Sequence, residues 1–142
     1  MDSSIVVRQY LADEPGQVAA SAVIEDPETA IVTSTLTRIE VSGALVRASR
    51  GRRVLSLQGA LDRLDEDFDE GLITMVSADE TEVHKVALEI VRTHGLRALD
   101  AIHVATAVLV LPEITDDADE TFFVGCDSAQ SKVAQELGLT LP

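Results

Sequence analysis

Three short apolar runs constrain this chain more than any other feature: Ala30-Ile31-Val32-Thr33, Leu72 to Val76, and Thr121 to Gly125. Each is rich in β-branched or bulky residues, long enough for a buried strand and too short for a helix. Helical patterns separate them. Ser3 to Asp13 places Ile5, Val6, Tyr10 and Leu11 near one side and stops at Pro15-Gly16, and Gln17 to Glu25 reads as a second short helix ended before Pro27. Ser34 is a cap candidate for a helix to about Ser49, with Leu36, Ile39, Val41, Leu45 and Val46 facing the core. Gly51 breaks that helix, and another follows from about Arg53 to Phe68.

Ser77-Ala78-Asp79-Glu80 has the spacing of a capping box and predicts a helix to about Thr93, ended by His94-Gly95. Ala98 to Leu111 is apolar throughout most of its length and too long for a strand, so it reads as a buried helix stopped by Pro112. An acidic loop, Glu113 to Glu120, leads to the third strand, and Asp127-Ser128-Ala129-Gln130 caps a last helix to about Leu137. Strands alternating with helices predict one α/β domain over 1–142 with a mostly parallel sheet. Ligands in such sheets lie beyond the carboxyl ends of the strands.

Three acids fall near that edge. Asp127 follows the third strand, Glu40 lies about two turns into the helix after Ile31-Val32, and Asp100 begins the apolar helix beside Leu99, Ala101 and Ile102. An ionised carboxylate in apolar surroundings costs several kcal/mol unless it is paired or holds a metal. Each acid also has a plain structural reading. Asp127 can be only a helix cap, Glu40 a solvated or paired residue, and Asp100 a partner of Arg97 or His103. Their convergence on one edge favours hard divalent cations, Mg²⁺ or Mn²⁺, which take oxygen ligands.

The charge balance narrows the partners. A net charge of −14 is the reverse of what a generic polyanion binder carries. Arg47, Arg50, Arg52 and Arg53 are the one basic cluster, read either as a solvated helix end or as an RNA contact. The single cysteine, Cys126, excludes an intramolecular disulfide and reads as structural, since the acids around it should raise its pKa. His103, on an apolar helix, reads as a bonded core residue before a phosphate contact. No run of about 18 apolar residues suggests a membrane span, and the N-terminus lacks the pattern of a signal peptide, so a cytoplasmic location is expected.

Four segments, in order, carry a family resemblance: Asp2 to Tyr10 followed by Glu14-Pro15-Gly16; Thr33 to Glu40; Leu96 to Ala105 around Asp100; and Val124-Gly125-Cys126-Asp127 with Ala134 and Gly138-Leu139. Together they resemble the PIN-domain proteins, and within them the VapC-type ribonuclease toxins of toxin–antitoxin pairs. The resemblance implies a three-layer α/β/α fold and Mg²⁺- or Mn²⁺-dependent endoribonuclease activity. It implies an acidic quartet of Asp2, Glu40, Asp100 and Asp127 as metal ligands, with Ser4 as a hydroxyl beside the first acid. It also implies a homodimer and a small antitoxin whose tail covers the acidic site. The family has a strand of a few apolar residues before its first Asp, whereas only Met1 precedes Asp2 here, so the first strand is expected to be truncated. Two other readings are a catalytically silent PIN-like binding module and a metal-dependent phosphatase. The second needs an Asp nucleophile with a nearby Lys, and neither Lys85 nor Lys132 lies in such a motif.

Overall fold

The computed structural model describes residues 1–116 and 118–142; position 117, inside the expected acidic loop, lies outside the described residues. Two compact units make up the chain, one of Ser3–Met75 and one of Met1–Asp2 with Val76–Pro142. The class is the expected one, helix-rich α/β with a parallel sheet.

Within Ser3–Met75 the elements are α1 (Ser3–Val6), a single 3-10 turn (Val7–Gln9), α2 (Gln17–Ile24), β1 (Val32–Ser34), α3 (Thr37–Arg50) and α4 (Leu57–Asp69). The first helix is shorter than the sequence suggests. Ile5-Val6-Val7 is a β-branched run, which loses side-chain freedom in a helix, and the chain tightens at Tyr10 N–H to Val7 O (3.1 Å). Gly16 then takes the left-handed conformation (φ 81°) that opens α2. Strand β1 pairs with β2 (Thr74–Val76), and Thr74 N–H donates to Ile31 O at 2.8 Å. Both strands sit inside or against their expected runs, shifted by one or two residues.

Helix α3 corrects two expectations. It begins at Thr37, not after Ser34, which belongs to β1 and accepts the Leu36 N–H at 3.3 Å. Its buried stripe is Thr37, Val41, Leu45 and Ala48, while Ile39 is 71% exposed. A threonine takes a core position because its hydroxyl meets that of Thr33 at 2.6 Å, so no buried polar atom is stranded. Helix α4 starts at Leu57, capped by Ser56 through Gly59 N–H, because Arg53 is drawn away to Asp13 and Glu14.

The other unit holds α5 (Glu80–His94), α6 (Ala98–Ile114) and α7 (Ser128–Glu136). The cap of α5 is Asp79 rather than Ser77: its carboxylate accepts from Thr81 N–H and Glu82 N–H. Two acceptor oxygens and a negative charge at the helix N-terminus outcompete a hydroxyl two residues upstream. Gly95, at φ 72°, closes α5 as expected. Pro112 lies inside α6 instead of ending it. Proline removes only its own N–H, and with the helix ending at Ile114 the loss falls in the last turn. Ala101, Val104 and Ala105 are fully buried on α6 and form one core with Ile90, Phe123 and Ala134.

The third expected strand is absent. Thr121 to Gly125 has no ladder pairing: Phe123 N–H donates to Thr140 O (2.7 Å), and Val124 O accepts from Asp2 N–H (2.8 Å). A ladder needs several bonds in register along one neighbour. Here Asp2 runs at once into α1, so it supplies one bond and no more along that edge. No strand forms at Met1-Asp2 either.

Candidate functional site

Asp2 is fixed before its side chain is considered. Its N–H is bonded to Val124 O, and the residue is 4% exposed. The carboxylate oxygen Oδ1 accepts from Gln130 Nε2 at 3.0 Å, and His103 Nε2 lies 3.8 Å from the same oxygen. His103 is buried on α6, one turn beyond Asp100. The core reading of this histidine therefore holds in part, but its neighbour is an acid of the expected quartet.

Asp100 occupies the first turn of α6 and is half-buried, with Ala101 fully buried beside it and Leu99 turned to solvent. Its carboxyl holds its proton above the ordinary carboxylate range. Burial is the largest cause, followed by the negative charges of Asp2 and Asp127; Arg97 and His103 pull the other way. Asp127 is exposed and caps α7, with Oδ1 accepting from Ala129 N–H (2.8 Å) and Gln130 N–H (3.0 Å). The cap reading and the site reading thus apply to the same side chain. Asp2, Asp100 and Asp127, from positions up to 125 residues apart, belong to one unit and act on one another electrostatically.

Glu40 and Ser4 belong to the Ser3–Met75 unit. Glu40 lies in the first turn of α3 and Ser4 in α1, both half-buried. Of the basic cluster, Arg53 is committed to Asp13 (2.6 Å) and Glu14, while Arg47, Arg50 and Arg52 are exposed. Cys126 is exposed rather than buried.

Gln130 is the residue that sequence reasoning passed over. It was visible only as the third residue after a capping Asp. The stronger signal is that it shares a helix face with Val133 and Ala134, both buried, so an amide occupies an apolar stripe.

All three acids offer hard oxygen donors, and at Asp100 the negative charges of Asp2 and Asp127 add to the larger effect of burial. Both properties fit a divalent cation. Among the described residues, no three such side chains stand close enough to hold an ion by themselves. Mg²⁺ does not require that, because it keeps several waters and binds through one or two carboxylates. No helix among the described residues is long and apolar enough to cross a membrane.

Compared with known protein families, the chain matches the PIN domain over residues 1–122, a span that includes Asp2, Glu40 and Asp100 and stops short of Asp127. PIN domains are generally metal-dependent nucleases. No curated protein and no solved structure matches the chain.

Proposed function

Because the chain belongs to the PIN-domain family, we propose that it is a metal-dependent endoribonuclease of the VapC type, the toxin of a toxin–antitoxin pair. The observation that carries the reading is the raised proton affinity of Asp100, due first to burial and then to the negative charges of Asp2 and Asp127, which a cation would offset. Asp2, Asp100 and Asp127 would hold the ion, directly or through water. Glu40 serves as a further ligand or orients the attacking water, and Ser4 hydrogen-bonds a ligand carboxylate. A divalent cation, Mg²⁺ or Mn²⁺, supplies Lewis acidity: it lowers the pKa of water and offsets charge on the phosphodiester.

The chain's own groups do the rest. The buried Asp2 side chain, tethered through Oδ1, presents a fixed oxygen donor. Asp100 would add a second. Water attacks phosphorus, one phosphorus–oxygen bond to ribose breaks, and the leaving oxygen takes a proton. The net charge of −14 bears on the partner half of the reading: RNA would need the cation to meet these acids, and a basic antitoxin tail would neutralise them. The same reading takes the chain as a single cytoplasmic domain that forms a homodimer.

The test is incubation of parent and Asp100→Asn protein with structured RNAs and with a small phosphoester, in Mn²⁺ or in EDTA. Metal-dependent RNA cleavage by the parent, lost in the variant with the fold kept, is expected. Phosphate release from the small ester indicates a phosphatase instead, and no product from either substrate indicates a silent binding module. Full activity in Asp100→Asn removes the site assignment.

A further inference from the structure

We propose that Gln130 is a positioning residue for the cation site: its side-chain amide sets the orientation of the Asp2 carboxylate and ties it to α6 and α7. This rests on Asp2 and Asp100 holding the ion, as proposed above. The amide is completely buried, an unusual place for so polar a group. Its Nε2 donates to Asp2 Oδ1 at 3.0 Å and approaches the Asp100 carbonyl oxygen at 3.4 Å. Its backbone N–H donates to Asp127 Oδ1 at 3.0 Å. One residue therefore touches all three acids, two through its side chain and one through its main chain.

The direction of the amide follows from chemistry. Turned over, Oε1 would face a carboxylate oxygen and a carbonyl oxygen, both acceptors. In the observed direction Oε1 has no hydrogen-bond partner among the described residues and lies against Gly125, where a Cβ would stand 2.6 Å away. A buried acceptor left unpaired carries a desolvation cost, so the fold does not bury this amide for its own satisfaction. Nor does it use the amide as a capping box would. A Gln at the third helical position ordinarily reaches back to the cap residue's own N–H, whereas this one reaches Asp2, 128 residues away.

A neutral donor suits the task. Lys or Arg at this place would cancel the charge that the cation needs, and an apolar residue would remove this donor from Asp2 Oδ1. Gln holds it while adding no charge. Gly125 is the second half of the device, because any side chain there would displace Oε1 and swing Nε2 off Asp2.

The experiment is Mn²⁺ titration followed by electron paramagnetic resonance of the free ion, with thermal melting in EDTA, on the parent, Gln130→Met, Gly125→Ala and Asp2→Asn. Methionine keeps the length of the side chain and removes the donor. Gln130→Met and Gly125→Ala are expected to weaken Mn²⁺ binding roughly 10- to 100-fold, the range for groups that orient a ligand, with RNA cleavage recovering as Mn²⁺ is raised. Parent-like Mn²⁺ affinity in a folded Gln130→Met overturns the proposal. If that variant does not fold, Gly125→Ala decides it: unchanged affinity there makes Gln130 a core residue only. Asp2→Asn separates the two levels, since unchanged binding in that variant removes the underlying site reading, whatever Gln130 does.

Discussion

Replacing Asp127 with Asn and with Ala separates its two roles. Its Oδ1 accepts two main-chain N–H groups, at 2.8 and 3.0 Å, from the first turn of α7. Asn keeps an acceptor oxygen in the same place and caps about as well as Asp, whereas Ala loses both bonds at a cost of about 1–2 kcal/mol. For a chain of this size about 1 kcal/mol corresponds to roughly 4 °C, so Asp127→Ala should melt roughly 4–8 °C below the parent in EDTA. Asp127→Asn gives up a charge–dipole attraction of about 0.3–1 kcal/mol. It also removes one of the negative charges acting on Asp100, an effect of the opposite sign. Its melting point should stay within about 4 °C of the parent. Cleavage should fall in both variants by about 10²-fold or more, the scale for losing a group that supports the transition state. Calorimetric melts in EDTA and RNA cleavage in Mn²⁺ give the two readouts. Parent-like cleavage by Asp127→Asn would leave Asp127 a cap alone. Equal melting points for the two variants would refute the capping argument.

Asp100 and Tyr10 supply two further tests. Because the folded state raises the pKa of Asp100 above its ordinary value of 3.8, the folded protein binds more protons than the unfolded chain just above that pH. Stability from this group is therefore full at low pH and falls as pH rises through the folded pKa. In urea melts with EDTA, the stability of the parent minus that of Asp100→Asn should decline from about pH 4 upward, and a flat difference contradicts the raised pKa. Tyr10 donates its hydroxyl to Asp67 Oδ2 at 2.7 Å, and burial together with that bond pushes its pKa far up. Tyr10→Phe should destabilise by about 1.5–3 kcal/mol, the range for a bond to a charged acceptor, and should lose no Mn²⁺ binding. An unchanged urea midpoint would show that the bond contributes nothing net.

The legible parts of this chain were those governed by local rules. Asp127 as a cap, Gly95 as a helix end and the two paired strands all follow from residues within a few positions of one another. Errors arose where a local rule had a competitor. Ser77 lost its cap to Asp79, and Pro112 was harmless because the helix was about to end. Thr37 entered the core only because Thr33, in the preceding strand, offers a hydroxyl. The run at Thr121 to Gly125 has strand composition, but composition cannot supply neighbours, and the segment receives isolated bonds from Asp2 and to Thr140. At the site, Asp2, Asp100 and Asp127 were nameable from sequence. The amide that joins them was not, because its partner Asp2 lies 128 residues away and no spacing rule spans that distance.

Helix α7 has only nine residues, yet its first turn carries both the Asp127 cap and the Gln130 tether. Isolated helices of that length are marginal in water and depend on packing. Holding the acids in place is therefore inseparable from keeping α7 docked through Val133 and Ala134. A substitution at either residue, neither of them an acid, would register first as weaker cation binding and only later as unfolding. Loss of function in this chain need not begin at an acid.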